Sequence, residues 1–159
     1  MPNKIEVGVL GATGMVGQQF ICQLQGHPLF ELTWLGASER SAGKTYAEAA
    51  RWVQDRPVPA SIASKLVQEA VPSATAPKLV FSAMDASVAG EIEQAFAKAG
   101  HVVVSNSKNH RMLPDVPLLV PEINPDHLGL ITVQRQNRGW SGAIVTNPNC
   151  STIALTMGL

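Results

Sequence analysis

The sequence predicts an α/β protein built on a doubly wound, mostly parallel sheet, and three observations predict it. Apolar runs the length of buried strands recur along the chain, at residues 4–10, 30–36, 78–82, 101–105 and 143–145. Helical patterns separate several of them, most clearly after the first strand and after residue 85. The first strand also passes without a break into Gly11-Ala12-Thr13-Gly14-Met15-Val16-Gly17 and then a helical pattern to about Gly26. A glycine-rich turn between strand and helix is the context that makes such spacing informative.

The chain has 159 residues, of which 45% are hydrophobic, enough for one domain with a real core. Basic and acidic residues each number 12, so no overall field recruits nucleic acid or an anionic membrane, and a charged ligand must be held by local groups. No apolar stretch is long enough to span a bilayer, and Met1-Pro2-Asn3-Lys4-Ile5-Glu6 runs straight into a strand with no signal-peptide pattern, so a cytoplasmic protein is expected. Cys22 and Cys150 are far apart in a chain expected in a reducing compartment, which argues against a disulfide. His27, His101, His110 and His127 lack ligand-type spacing, so no metal site is expected.

The first helix places Val16, Phe20 and Leu24 at helical spacing with Gly17 and Ile21 beside them, and Gln18, Cys22 and Gln25 on the opposite face. The glycines at 11, 14 and 17 are spaced G-x-x-G-x-x-G, and in a tight turn that leaves a strand and opens a helix a phosphate fits at the helix N-terminus; a plain strand-to-helix turn is the alternative. The second strand ends in Ala37-Ser38-Glu39-Arg40-Ser41-Ala42-Gly43-Lys44, where the adenosine ribose of a dinucleotide normally lies. No carboxylate stands at the strand tip, and Glu31 is at the wrong end. Ser38, Arg40, Ser41 and Lys44 offer hydroxyls and cations suited to a 2′-phosphate, which predicts NADP; a solvated loop carrying Glu39 is the alternative.

Residues 45–77 are the least legible. Tyr46 and Trp52 are suited to covering the flank, four prolines interrupt regular structure, residues 65–71 read as a short edge strand, and no function attaches to the region. Residues 78–82 form a strand whose end, Ser82 and Ala83, lies where ligands of doubly wound sheets collect. A helix follows from an Asp85 or Ser87 cap to Ala99, with Val88, Ile92, Ala95, Phe96 and Ala99 as its apolar stripe and Gly100 after it. The next strand leads into the polar loop Asn106-Ser107-Lys108-Asn109-His110-Arg111, where Arg111 is suited to clamping a phosphate or carboxylate, or else is simply solvated. Residues 134–141 read as a polar loop before the last strand.

That strand ends in Asn147-Pro148-Asn149-Cys150-Ser151-Thr152, and Ile153, Ala154, Leu155 and Met157 look like the opening of a helix. A cysteine at a helix N-terminus meets unpaired amides and the positive end of the macrodipole, which favour the thiolate, the nucleophilic form. The same amides, with the Asn149 side chain, are placed to hold an oxyanion. A buried structural cysteine is the competing reading of this stretch.

Taken together, the glycine turn, the Ala37–Lys44 loop, Ser105-Asn106-Ser107-Lys108-Asn109-His110-Arg111-Met112 and the Cys150 stretch closely resemble the aspartate-semialdehyde dehydrogenases, in their archaeal and fungal form. The resemblance implies that Cys150 is the acyl-thioester nucleophile, that Thr13, Gly14, Met15 and Val16 with Ser38, Arg40 and Ser41 hold NADP, and that Arg111 binds phosphate or substrate. It implies reversible, NADP-dependent reductive dephosphorylation of aspartyl phosphate to aspartate semialdehyde, in lysine, threonine and methionine biosynthesis. The small-molecule substrates would be aspartate semialdehyde and phosphate, and the full-length enzyme a homo-oligomer.

Family members continue far beyond the equivalent of Leu159, through a second domain that supplies a histidine acid/base and an arginine for the substrate carboxylate. Residues 1–149 are thus expected to be the NADP-binding Rossmann-like domain, and 150–159 the start of a helix leading into the catalytic and dimerisation domain. The 159 residues alone are expected to turn nothing over. Two alternatives stay open: another acyl-phosphate or acyl-CoA reductase of this architecture, such as N-acetyl-glutamyl-phosphate reductase or malonyl-CoA reductase, and a nucleotide-binding module without catalysis.

Overall fold

A computed structural model describes residues 4–159, so Met1-Pro2-Asn3, expected to lead into the first strand, lie outside the described residues. The chain forms two compact units, the first running to Met84 and the second from Asp85 to Leu159.

In the first unit, β1 (Ile5–Leu10) leads into α1 (Met15–Leu24) and then β2 (Phe30–Ala37). Two single-turn helices follow, α2 (Tyr46–Ala49) and α3 (Ala60–Ala63), then β3 (Gln68–Glu69) and β4 (Leu79–Ser82). The strands pair in parallel in the order β3-β2-β1-β4, with Leu10 opposite both Gly36 and Ser82, so three strand ends share one edge. Val7, Val9, Leu35, Ile21, Leu24, Tyr46, Ile62 and Val67 make the core. The edge strand expected within residues 65–71 is the two-residue β3.

The inward face of α1 differs from the expected one. Gly17 is the point of closest approach: a Cβ there would overlap Gly11 O and lie 2.8 Å from Ala12 Cα. That contact sets the roll of the helix, so Ile21 and Leu24 turn inward with Gln18, which is buried, while Val16 turns out to solvent at 43% exposure. Gln18 is tolerated inside because every arm of its carboxamide is bonded, as described below.

In the second unit, α4 (Ala86–Lys98) is capped by the Asp85 carboxylate, which accepts the Ser87 N–H at 2.8 Å. It is followed by β5 (Val102–Ser105), a 3-10 turn (Pro125–Gly129), α5 (Leu130–Arg138), β6 (Ala143–Thr146) and α6 (Cys150–Gly158). The β5 and β6 strands pair in parallel, and Leu118 bridges to Thr146 on the far side of β6. Here too the helix roll departs from the expected stripe: Ala89, Glu93, Phe96 and Ala97 are buried, whereas Val88, Ala95 and Ala99 are exposed. The small residues Ala89 and Ala97 let α4 pack closely, and the backbone at Ala97 and His101 presses so tightly on Gly142 that a Cβ would not fit.

Residues 134–138, read from sequence as part of a loop, belong to α5. Only Gln134 of this helix is buried. Its Nε2 donates to Asp115 O at 3.1 Å and Ile144 O at 3.0 Å, and its Oε1 accepts the Ile144 N–H at 2.7 Å. Arg135 and Arg138 of the same helix also bond outward, to Gly142 O and Asp115, so polar side chains rather than a buried apolar stripe anchor it. Gly139, at φ +65°, ends it. Among the described residues no helix is long and apolar enough to cross a membrane.

Candidate active site

The glycine turn leaves β1 at Leu10, with Gly11 at φ +73° and a Cβ there only 2.7 Å from Ala83 O. The turn is stitched to both neighbouring strand ends: Ala12 N donates to Gly36 O at 3.0 Å, and Ala83 N to Leu10 O at 2.9 Å. Gly14 is the N-cap of α1, with no side-chain cap and no acidic residue in the first turn. Met15 and Val16 are exposed there and Thr13 is half-buried. An uncapped, acid-free helix start is electrostatically fitted to an anion.

The carbonyls on the inner side of the turn are braced by residues that sequence reasoning left without a role. Tyr46 Oη, fully buried, donates to Ala12 O at 2.9 Å, and its burial pushes the hydroxyl pKa well above the usual phenol range. Gln18 Nε2 donates to Thr13 O at 3.1 Å and Arg51 O at 2.9 Å, while its Oε1 accepts the Val53 N–H at 2.9 Å. Gln54 Nε2 donates to Met15 O at 3.2 Å.

The segment after β2 forms consecutive turns, with Ser41 N donating to Ser38 O at 2.8 Å and Gly43 N to Val67 O at 2.9 Å. Ser38, Glu39, Arg40 and Lys44 are exposed and Ser41 is half-buried. Among the described residues no ion pair occupies Arg40. Ser82 closes β4 fully buried, and its Oγ has no hydrogen-bond partner among the described residues; Ala83 beside it is half-buried.

In the second unit the polar loop after β5 is not a solvated one. Ser107 and His110 are buried, and Arg111 is half-buried with Nη2 donating to Asn106 O at 2.9 Å. Asn106 Oδ1 accepts from Asn147 Nδ2 at 3.0 Å, and Asn147 N donates to Ser105 O at 3.2 Å, which ties this loop to the segment after β6. That segment delivers Cys150 as the first residue of α6, exposed, whereas Cys22 is half-buried. Asn149 caps the helix: its Oδ1 accepts the Thr152 N–H at 2.8 Å. One first-turn amide considered for an oxyanion, that of Thr152, is therefore already engaged by the Asn149 carboxamide oxygen.

Sequence reasoning missed Glu93. This carboxylate is completely buried on α4, accepts from Ser105 Oγ at 2.7 Å and lies 3.5 Å from His110 Nε2. Desolvation holds the His110 imidazole below its ordinary pKa. Nearby, Arg138 clamps Asp115 through two bonds, 2.6 and 2.7 Å, which keeps that carboxyl below the usual carboxylate range. A stripe template shifted by one residue, Ala89-Glu93-Phe96-Ala97, would have exposed the anomaly of an acid on an apolar face.

Comparison with known proteins gives this geometry a family. The model of the semialdehyde dehydrogenase NAD-binding domain matches residues 6–131. The chain is 53% identical to an aspartate-semialdehyde dehydrogenase of Archaeoglobus fulgidus, with 98% of the chain and 46% of that protein covered. Identity is 56% to one from Methanothermobacter thermautotrophicus, covering 98% and 45%. A fungal relative in Schizosaccharomyces pombe is 50% identical over 97% of the chain and 44% of that protein. The chain thus spans less than half the length of the curated relatives it matches. Among solved structures, the Candida albicans aspartate-semialdehyde dehydrogenase crystallised with NADP superposes with a TM-score of 0.88 at 46% identity, covering 97% of this chain and 45% of that one. An enzyme of the same name from Vibrio cholerae, complexed with ASA, gives 0.72 at 29% identity, covering 99% and 46%. The expected doubly wound, Rossmann-like architecture and the archaeal and fungal affinity are both met. A turn too tight for side chains at Gly11 and Gly17, a strand-end polar loop and a cysteine opening a helix thus occur in a chain that belongs to the semialdehyde dehydrogenase family, whose NAD-binding domain its residues 6–131 match.

Proposed function

We propose that this chain is the cofactor-binding part of an NADP-dependent aspartate-semialdehyde dehydrogenase, with residues 1–149 as the NADP domain and 150–159 as the start of the helix leading into a substrate and dimerisation domain. The observation that carries the reading is Cys150, exposed as the first residue of α6 in a chain so similar to enzymes of that name. In support of NADP, α1 begins without a cap or an acid, and the buried Ser82 Oγ at the adjoining strand end has no partner among the described residues. Gly11, Thr13, Gly14, Met15 and Val16 would hold the pyrophosphate, Ser38, Arg40 and Ser41 the 2′-phosphate, and Ser82 and Ala83 the adjoining part of the dinucleotide. NADPH, when bound, supplies hydride.

The chemistry of the chain's own residues follows from covalent capture. The Cys150 thiolate attacks the acyl carbon of aspartyl phosphate, the C–O bond to phosphate breaks, and phosphate leaves with the electron pair. The thioester then holds the acyl group until its two-electron reduction releases the aldehyde and returns the thiolate. Arg111, with one nitrogen of its guanidinium bonded to Asn106 O, would orient the phosphate. The full-length enzyme would be a cytoplasmic homo-oligomer serving lysine, threonine and methionine synthesis.

The test uses the full-length protein with aspartate semialdehyde, NADP and phosphate. Cys150→Ala is expected to abolish turnover while NADP still binds. Arg40→Ala is expected to weaken NADP by about tenfold or more and leave NAD little changed, the cost of losing a hydrogen bond to a charged group. Turnover that survives Cys150→Ala sinks the mechanism, and equal loss of both nucleotides in calorimetry sinks the cofactor assignment.

A further inference from the structure

Glu93 takes no part in that chemistry, yet it is an ionisable carboxyl with no exposed surface on the packed face of α4. Such a group is costly to bury unless polar partners replace water. The partners recorded for it converge on one segment. Ser105 Oγ donates to its Oε1 at 2.7 Å, and its Oε2 lies 3.5 Å from His110 Nε2. Ser105 Oγ also accepts the Ser107 N–H at 3.0 Å. Ser107 Oγ donates to Asn109 Oδ1, and Asn109 Nδ2 donates to Ala86 O at 2.9 Å, in the first turn of α4. The loop is therefore bonded to one helix through Ser105 and Asn109, and His110 near its end lies against the same helix. From its other side Asn106 holds Arg111 by its carbonyl and Asn147 by its side chain, three residues before Cys150.

We propose that Glu93 is a positioning residue: through Ser105 and His110 it sets the conformation of the 105–111 loop, and the loop in turn sets Arg111 and the Asn147–Cys150 segment. This rests on the roles given above to Cys150 and Arg111. A leucine at position 93 would pack, but it would leave Ser105 Oγ buried without its acceptor and remove the carboxylate that faces His110, and the loop would have to move to find another partner.

The experiment takes full-length Glu93→Leu, Glu93→Gln and Ser105→Ala proteins beside the parent. Amide hydrogen exchange is expected to quicken about tenfold in residues 106–111 and 147–150 of Glu93→Leu and Ser105→Ala, with residues 5–37 unchanged. The KM for inorganic phosphate is expected to rise by a similar factor while the KM for NADP holds, and Glu93→Gln, which keeps an acceptor for Ser105, is expected to recover most of both. Unchanged exchange at 147–150, equal rises in both KM values, or no recovery in Glu93→Gln would each overturn the proposal. Should Glu93→Leu fail to fold, Ser105→Ala carries the test. A parent protein that turns over no phosphate refutes the proposed function alone, since the exchange measurement still decides the role of Glu93.

Discussion

The glycine turn of the first unit and the 105–111 loop of the second are both polar segments leaving a strand end, and they are held by opposite means. The turn is braced by neutral groups, the Tyr46 hydroxyl and the Gln18 carboxamide, each donating to a backbone carbonyl. The loop is braced by the ionisable Glu93 of α4, which bonds Ser105 and faces the loop's own buried His110. The difference follows from what each segment offers. A turn that presents backbone amides to an anion gains from donors on its carbonyls, which polarise the peptide units without adding a charge that would compete with the ligand. The 105–111 loop instead includes an imidazole, that of His110, whose pKa burial lowers.

The largest expected effect breaks the neutral brace by force. Gly17→Ala puts a methyl group into Gly11 O and Ala12 Cα, so α1 must move off the turn. The expected cost is about 3 kcal/mol of stability, with loss of dinucleotide binding, read from urea denaturation and calorimetry. A variant as stable as the parent would show that the close approach is not fixed.

The next effect tests the charged brace. Burial depresses the His110 pKa, so the unfolded chain takes up a proton at higher pH than the folded one. The stability from His110 is therefore complete above its unfolded value, about 6.5, and is lost as pH falls below it, at no more than about 1.4 kcal/mol per pH unit. Glu93, Asp115 and Arg138 surround this titration, but Arg138 holds Asp115 below the carboxylate range, so that pair yields only in stronger acid. Urea melts at about pH 7.5 and 5.5 should separate, and His110→Gln should bring them together. The same separation in both proteins would assign the slope elsewhere.

The smallest effect sharpens the contrast. Tyr46→Phe removes one neutral hydrogen bond to Ala12 O, worth about 1 kcal/mol. It should weaken NADP and NAD alike, because the turn serves the part the two share. A preference for one nucleotide would mean that Tyr46 acts on the Ser38–Lys44 loop instead.

The strands and the helix starts at Met15 and Cys150 were legible because they depend on local chemistry. An apolar run, a glycine spacing, the Asp85 cap and a polar stretch with Pro148 before Cys150 are all visible within a few residues. What could not be read was which way each helix rolls. Periodicity identifies an amphipathic helix but locates its inner face only to within a residue, and contacts distant in sequence decide the rest. Gln18, Glu93 and Gln134 show the rule: each is a long polar side chain in mid-helix that looks like surface, and each is buried by partners outside its helix, such as Arg51, Ser105 and Ile144. The part that residues 45–54 play at the turn was hidden for the same reason, since Tyr46 and Gln54 bond to Ala12 O and Met15 O, more than thirty residues earlier.

The three glycines of the turn are not equivalent, and the difference predicts how this stretch responds to selection. A Cβ on Gly11 or Gly17 comes within 2.7 or 2.8 Å of other backbone, whereas one on Gly14 meets only Gly11 O, at an ordinary 3.4 Å. A library randomised at these positions and sorted for soluble expression should therefore recover alanine or serine freely at 14 and glycine at 11 and 17. Sorting the same library for nucleotide binding should drive 14 back to glycine, because the methyl group that the fold accepts there would stand where a phosphate approaches the amides.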